Sequence, residues 1–111
     1  MNGSGKFKRF DIYLVSLDPT IGKEIKKTRP CVIISPNEMN HYLKTLIIAP
    51  MTSKGIDIPT RVETKLKGKK GYVVLDQIRS IDKKRLIKFI GKLETVESSK
   101  ILGILTEIFS F

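Results

Sequence analysis

The chain has 111 residues, a formal net charge of +10, one cysteine and one histidine. That length fits one domain, and a hydrophobic content of 41% excludes a disordered chain; no apolar run approaches the about 20 residues of a bilayer-crossing helix. One cysteine excludes an internal disulfide, and one histidine beside one cysteine cannot build a zinc centre.

Residues 1–9 (MNGSGKFKR) are expected to form a basic, flexible leader, with a single folded domain over 10–111. No apolar stretch of signal-peptide type follows that start, and a cytoplasmic location is expected. Residues 10–17 read as a strand with apolar side chains on both faces. Asp18-Pro19-Thr20 breaks it, and 21–28 is a basic loop pivoting on Gly22. Pro30 opens a second strand to Ser35, a position where its missing donor is tolerated. A short helix or turn is predicted over 37–43, with His41 on it, and a third strand over 45–49 closed by Pro50. A polar loop over 52–59, a short strand over 60–63 and a lysine-rich turn around Gly68 and Gly71 follow. Residues 72–75 are a fully apolar strand ending in Asp76-Gln77. Residues 78–85 read as a connector and 86–93 as the last strand. The tail is predicted as a helix with Thr95 as N-cap and Glu97 favouring its dipole. Five or six short strands and one terminal helix predict a mainly β fold, a small curved barrel with the helix packed against it.

Charge is unevenly placed. Ten lysines and arginines stand between Lys65 and Lys92 against only Asp76 and Asp82, and Lys23, Lys26, Lys27 and Arg29 form a second cluster. Such a field draws polyanions. Cys31, in the apolar run CVII, is expected to be a buried reduced thiol. A lone His41 has no second histidine with which to form an acid–base pair. No phosphate loop or dinucleotide fingerprint occurs, so no cofactor and no metal are expected.

What remains is Arg29 with Thr52, Ser53, Lys54 and Glu24. Pro30 pushes Arg29 toward extended backbone, and Thr52 follows a strand end. Pairing of the second and third strands would bring the two together. A guanidinium with hydroxyls at hydrogen-bonding range suits a phosphodiester. From spacing alone, a pair between Arg29 and Asp18 or Glu24, with Thr52 capping a turn, is the simpler account.

Over Phe10 to Ile108 the chain resembles the MazF/PemK family of toxin endoribonucleases from type II toxin–antitoxin modules. DIYLVSLDPTIGKE and TRPCVIIS, spaced as they are, carry the resemblance, and IAPMTS, VVLDQIRSID, FIGKL and the closing helix agree in order. One departure stands out: Phe10 occupies the place where the family usually has glycine. The resemblance implies an SH3-like β-barrel of the CcdB/PemK kind, a homodimer, and metal-independent cleavage of single-stranded RNA at short sequences. It implies Arg29 and Thr52 as catalytic, with Glu24 implicated as well. RNA would run between the two loops, past Thr20, Lys23, Lys26, Lys27, Thr28, Ser53 and Lys54. Asp76 and Gln77 would either read bases there or tie the last strands together. Arginine is a poor general base, which leaves Glu24 as the nearby residue able to accept a proton. The expected partner is an antitoxin whose acidic, disordered segment covers the basic surface. Two alternatives are a CcdB-like gyrase inhibitor, which relies on a C-terminal Trp-Gly-Ile absent here, and a non-catalytic RNA-binding module.

Overall fold

The structure, a computed structural model, describes residues 6–111; the part of the expected leader over 1–5 lies outside the described residues. Seven strands follow one another: β1 (Asp11–Ser16), β2 (Thr28–Ile33), β3 (Thr45–Thr52), β4 (Arg61–Leu66), β5 (Lys69–Val74), β6 (Arg79–Asp82) and β7 (Leu86–Lys92). Helix α1 (Asn37–Tyr42) joins β2 to β3, and helix α2 (Thr95–Ile108) closes the chain. All pairings are antiparallel, in the order β4-β5-β3-β2-β1-β7, with β6 also paired to β3.

Period-two alternation sorts the side chains onto two buried faces. Ile12, Val32, Ala49 and Met51 join Val62, Val73 and Ile101 of α2 in one cluster. Val15, Leu17, Cys31, Ile33, Leu46 and Ile48 form the other, with Ile81 of β6. Burial of both sides explains why β1 carries apolar residues in both registers. Cys31 is fully buried, and that burial pushes its thiol up to about 12.

Strand β3 changes partners along its length. Thr45–Ile48 pair with β6, Met51 and Thr52 pair with β5, and Ala49 and Pro50 fall between. Pro50 therefore does not close the strand, contrary to expectation: it stands in the gap between two partners, where an absent N–H is tolerated. The predicted connector over 78–85 contains β6, whose only buried side chain is Ile81; its polar neighbours hid the strand. The turn between β4 and β5 is tighter than expected, just Lys67 and Gly68, both at positive φ, as a two-residue hairpin requires. On α2 the cap is Glu94, not Thr95: Glu94 and Glu97 form a reciprocal capping box, and Glu97 also accepts from the buried Thr64 hydroxyl of β4.

The stretch 6–9, expected to be flexible, is tied to the sheet. Phe7 packs against Tyr13 with ring centroids 5.5 Å apart, Arg9 Nε donates to the Ile34 carbonyl at 2.7 Å, and buried Asn40 donates to the Phe7 carbonyl. Its charge masked one anchoring aromatic. Among the described residues no helix is long and apolar enough to cross a membrane.

Phe10 has φ +72°, in the left-handed region, with its amide bonded to the Ile33 carbonyl and its carbonyl to the Leu93 amide. Glycine suits that backbone; the aromatic ring compensates by packing against the first cluster. Phe10→Gly and Phe10→Ala both remove the ring, but only glycine relieves the backbone. The glycine variant is therefore expected to be more stable than the alanine variant by about 1 kcal/mol, measured by urea denaturation; equal stabilities would contradict this.

Candidate active site

The β2–β3 ladder runs from Ile33–Ile48 to Cys31–Pro50 and stops there. Beyond that rung β2 continues as Pro30 and Arg29, paired only with Leu14 and Val15 of β1. Strand β3 continues as Met51 and Thr52, paired with β5. A proline on each strand at this point supplies no N–H to prolong the ladder, and the strands fork. In the fork lies a cavity of about 230 Å³ lined by Arg29, Pro30, Thr52 and Ser53, with Lys69 and Lys70 from the β4–β5 hairpin. The sequence pattern had brought Arg29 and Thr52 together, and the structure does the same.

Arg29 is half-buried. Its Nε lies 3.4 Å from the Lys26 carbonyl, and among the described residues the guanidinium has no carboxylate within ion-pair distance. The acids that spacing offered it are engaged elsewhere: Asp18 accepts the Lys27 amide at 2.9 Å and Glu24 accepts the Ile21 amide at 2.6 Å. Thr52 Oγ1 accepts the Lys54 amide at 3.3 Å, the expected turn cap, which leaves its hydroxyl proton available to donate. Lys69 and Lys70 were legible as charge but not as part of this cavity, because only the folded hairpin carries them to its rim. Lys70 also meets Glu63 at 3.4 Å. With Arg29 they make three cations, and no residue lining the cavity carries a carboxylate. Such a site favours an anion.

Glu24 does not line this cavity. It lines a separate one of about 270 Å³ with Ile25, Pro50, Asp76, Gln77 and Arg79. Thr20 is half-buried, and Lys23, Lys26, Lys27 and Thr28 are exposed along the first loop. Ser53 and Lys54 are exposed at the start of the second. The Tyr72 ring packs on Gly55 so closely that a Cβ there would require the ring to shift. His41 lies exposed on α1 against Tyr42, away from the residues that line either cavity.

Asp76 and Gln77 occupy a 3-10 turn, Leu75–Gln77. The Asp76 carboxylate accepts from Arg61 Nε at 2.9 Å, Arg61 Nη2 at 3.0 Å and the Thr60 hydroxyl at 3.0 Å. Gln77 Oε1 accepts the Ile25 amide at 2.8 Å. The Arg61 hydrogen bonds hold the Asp76 carboxyl below its ordinary 3.8, against partial burial and with help from Thr60.

A family described as PemK-like, MazF-like toxin of type II toxin–antitoxin system matches residues 8–109. The chain is 38% identical over 107 residues to the endoribonuclease MazF of Staphylococcus epidermidis, across 87% of this chain and 88% of that one. Its fold is similar to that of the Deinococcus radiodurans MazF crystal structure, with a TM-score of 0.83 at 22% identity, covering 94% of this chain and 96% of that one. It is also similar to a mycobacterial endoribonuclease solved in complex with its cognate antitoxin, with a TM-score of 0.79 at 22% identity, covering 94% and 97%.

A carboxyl with a depressed folded-state pKa stabilises the fold above its unfolded pKa and loses that contribution as pH falls through the folded one. Asparagine imitates protonated Asp76. Asp76→Asn is thus expected to lower Tm at pH 7, with the gap to the unmutated chain closing as pH drops below 3.8. A gap that stays constant down to pH 2 would remove Asp76 ionisation as its source.

Proposed function

The chain belongs to the PemK-like, MazF-like family of toxins of type II toxin–antitoxin systems, and we propose that it is an endoribonuclease that cleaves single-stranded RNA in the fork between β2 and β3. The observation that carries this is a cavity holding Arg29, Thr52 and two lysines with no carboxylate in its lining. It suits one phosphate of a chain passing between the loops 18–27 and 53–60, with Thr20, Lys23, Lys26, Lys27, Thr28, Ser53 and Lys54 as its further contacts.

In the proposed reaction the ribose 2′-oxygen attacks the adjacent phosphorus, its proton passes to a base, and the 5′-oxygen leaves with a proton. The products are a 2′,3′-cyclic phosphate and a 5′-hydroxyl. Charge on the phosphoryl oxygens rises toward two as the bond forms. The guanidinium fork of Arg29 and the Thr52 hydroxyl are the donors aimed at that charge. No step in this scheme requires a metal. Glu24 serves as the base if the loop 18–27 carries it toward the fork, giving up the Ile21 amide. Two further features belong to the same proposal. Ile108, Phe109 and Phe111 remain exposed at the end of α2, which favours a homodimer. The +10 charge favours an antitoxin whose acidic segment covers the cationic fork, in the compartment where RNA is translated.

Incubated with a long single-stranded RNA in EDTA, the protein is expected to leave 5′-hydroxyl ends at a short recurrent sequence. Arg29→Ala is expected to lower kcat by about 100- to 1,000-fold. Absence of cleavage by the unmutated chain would remove the nuclease assignment, and undiminished cleavage by the variant would remove the site. In sedimentation at micromolar concentration a dimer is expected, from which the acidic antitoxin segment displaces RNA; a monomer, or RNA binding indifferent to the antitoxin, would contradict this part.

A further inference from the structure

The 3-10 turn Leu75–Gln77 stands between the two loops that flank the fork and is bonded to both. Toward the first, Gln77 Oε1 accepts the Ile25 amide at 2.8 Å, and the half-buried Ile25 side chain packs against the second apolar cluster. One residue on, the Lys26 carbonyl lies beside Arg29 Nε, so the backbone that Gln77 fixes is the backbone on which Arg29 rests. Toward the second loop, the Leu75 amide donates to the Thr60 carbonyl at 2.9 Å. Asp76 takes the three side-chain bonds from Thr60 and Arg61, at the far end of the segment that starts with Thr52. The turn itself is anchored by Leu75, 1% exposed in the first cluster. The Gln77 carbonyl oxygen and both Asp76 oxygens each hold at least one protein donor.

We propose that Asp76 and Gln77 are positioning residues, a two-sided clamp that keeps the loops 18–27 and 53–60 in fixed relation across the Arg29–Thr52 fork. The proposal rests on the endoribonuclease assignment for its catalytic consequence, but its mechanical part concerns the RNA-free protein alone. A clamp acts on the geometry of the reacting groups, so its loss falls on kcat. A base reader acts on which RNA is held, so its loss falls on KM and on the sequence cut.

The test uses the full chain with Gln77→Met, which keeps size without the acceptor, and Thr60→Val, which removes one bond to Asp76 and keeps the test open if the first variant fails to fold. Amide hydrogen exchange in RNA-free Gln77→Met is expected to speed up at Ile25 by about tenfold, the scale of one lost hydrogen bond. Each variant is expected to lower kcat by about tenfold to a hundredfold, with KM within twofold and the cleavage sequence unchanged. The double variant should lose less than the product of the single losses, as coupled sites do. Gln77→Glu, which keeps an acceptor oxygen at the same reach, is expected to restore the Ile25 protection and most of kcat. Unchanged exchange at Ile25, an unchanged kcat despite faster exchange, strictly multiplicative losses, or a raised KM with an altered cleavage sequence would each overturn the clamp. If the unmutated chain cleaves no RNA, the nuclease assignment fails, and the exchange measurements alone decide whether the turn holds the loops.

Discussion

The termination of one ladder governs the rest of this molecule. Strands β2 and β3 pair until Cys31 meets Pro50, and two prolines at the end of that ladder leave no N–H donors of their own to extend it. Had the pairing continued, Arg29 and Thr52 would lie within a closed sheet with their neighbours' backbones. Because it stops, β2 stays with β1 while β3 goes over to β5, and an arginine and a threonine face a common space from diverging backbones. Rigidity comes from behind: every residue from Cys31 to Ile34 is buried, on alternating faces of two apolar clusters. A charged group is thus mounted two residues before a fully buried stretch.

Around that fixed fork the rest is held by side-chain bonds to backbone. Asp18 takes the Lys27 amide at the neck of the first loop, while Arg85 donates to the Ser16 and Asp18 carbonyls and Arg79 to that of Leu17. Carbonyls leaving β1 without ladder partners are in this way satisfied by arginines from the next layer. Part of the positive charge concentrated beyond Lys65 is therefore structural, whereas Lys69 and Lys70 line the cavity.

Much of this was legible from residue order. The apolar run of β1, the TRP element and the terminal helix each carry a local signal strong enough to survive folding. Three features were not. Strand β6 has one buried side chain in four residues and becomes a strand only because the first half of β3 needs a partner. Pro50 reads as a stop, since the gap between two successive partners is a property of the whole sheet. Glu24 sits four residues before Thr28 yet faces another cavity, because its carboxylate turns back to the Ile21 amide and no local rule says which donor it will choose. Gln77 and Asp76 are a further case: two polar residues after an apolar strand suggest a surface for ligands, and their bonds to Ile25, Thr60 and Arg61 are long-range links that no local pattern shows.

No residue lining the fork cavity carries a carboxylate, and that has a consequence for turnover. In the proposed reaction Arg29, Lys69 and the Glu63-paired Lys70 would meet one negative charge in a bound phosphodiester, close to two at the transition state, and one again in a cyclic product. Attraction scales with the charge presented, so in that scheme the site would bind the transition state more strongly than what enters or departs. By the same scaling an added cation would tighten the transition state most while also holding the product, and so shift the slow step toward departure of the product. An added carboxylate would reduce the difference that drives the chemistry. The balance in the fork is between holding and letting go.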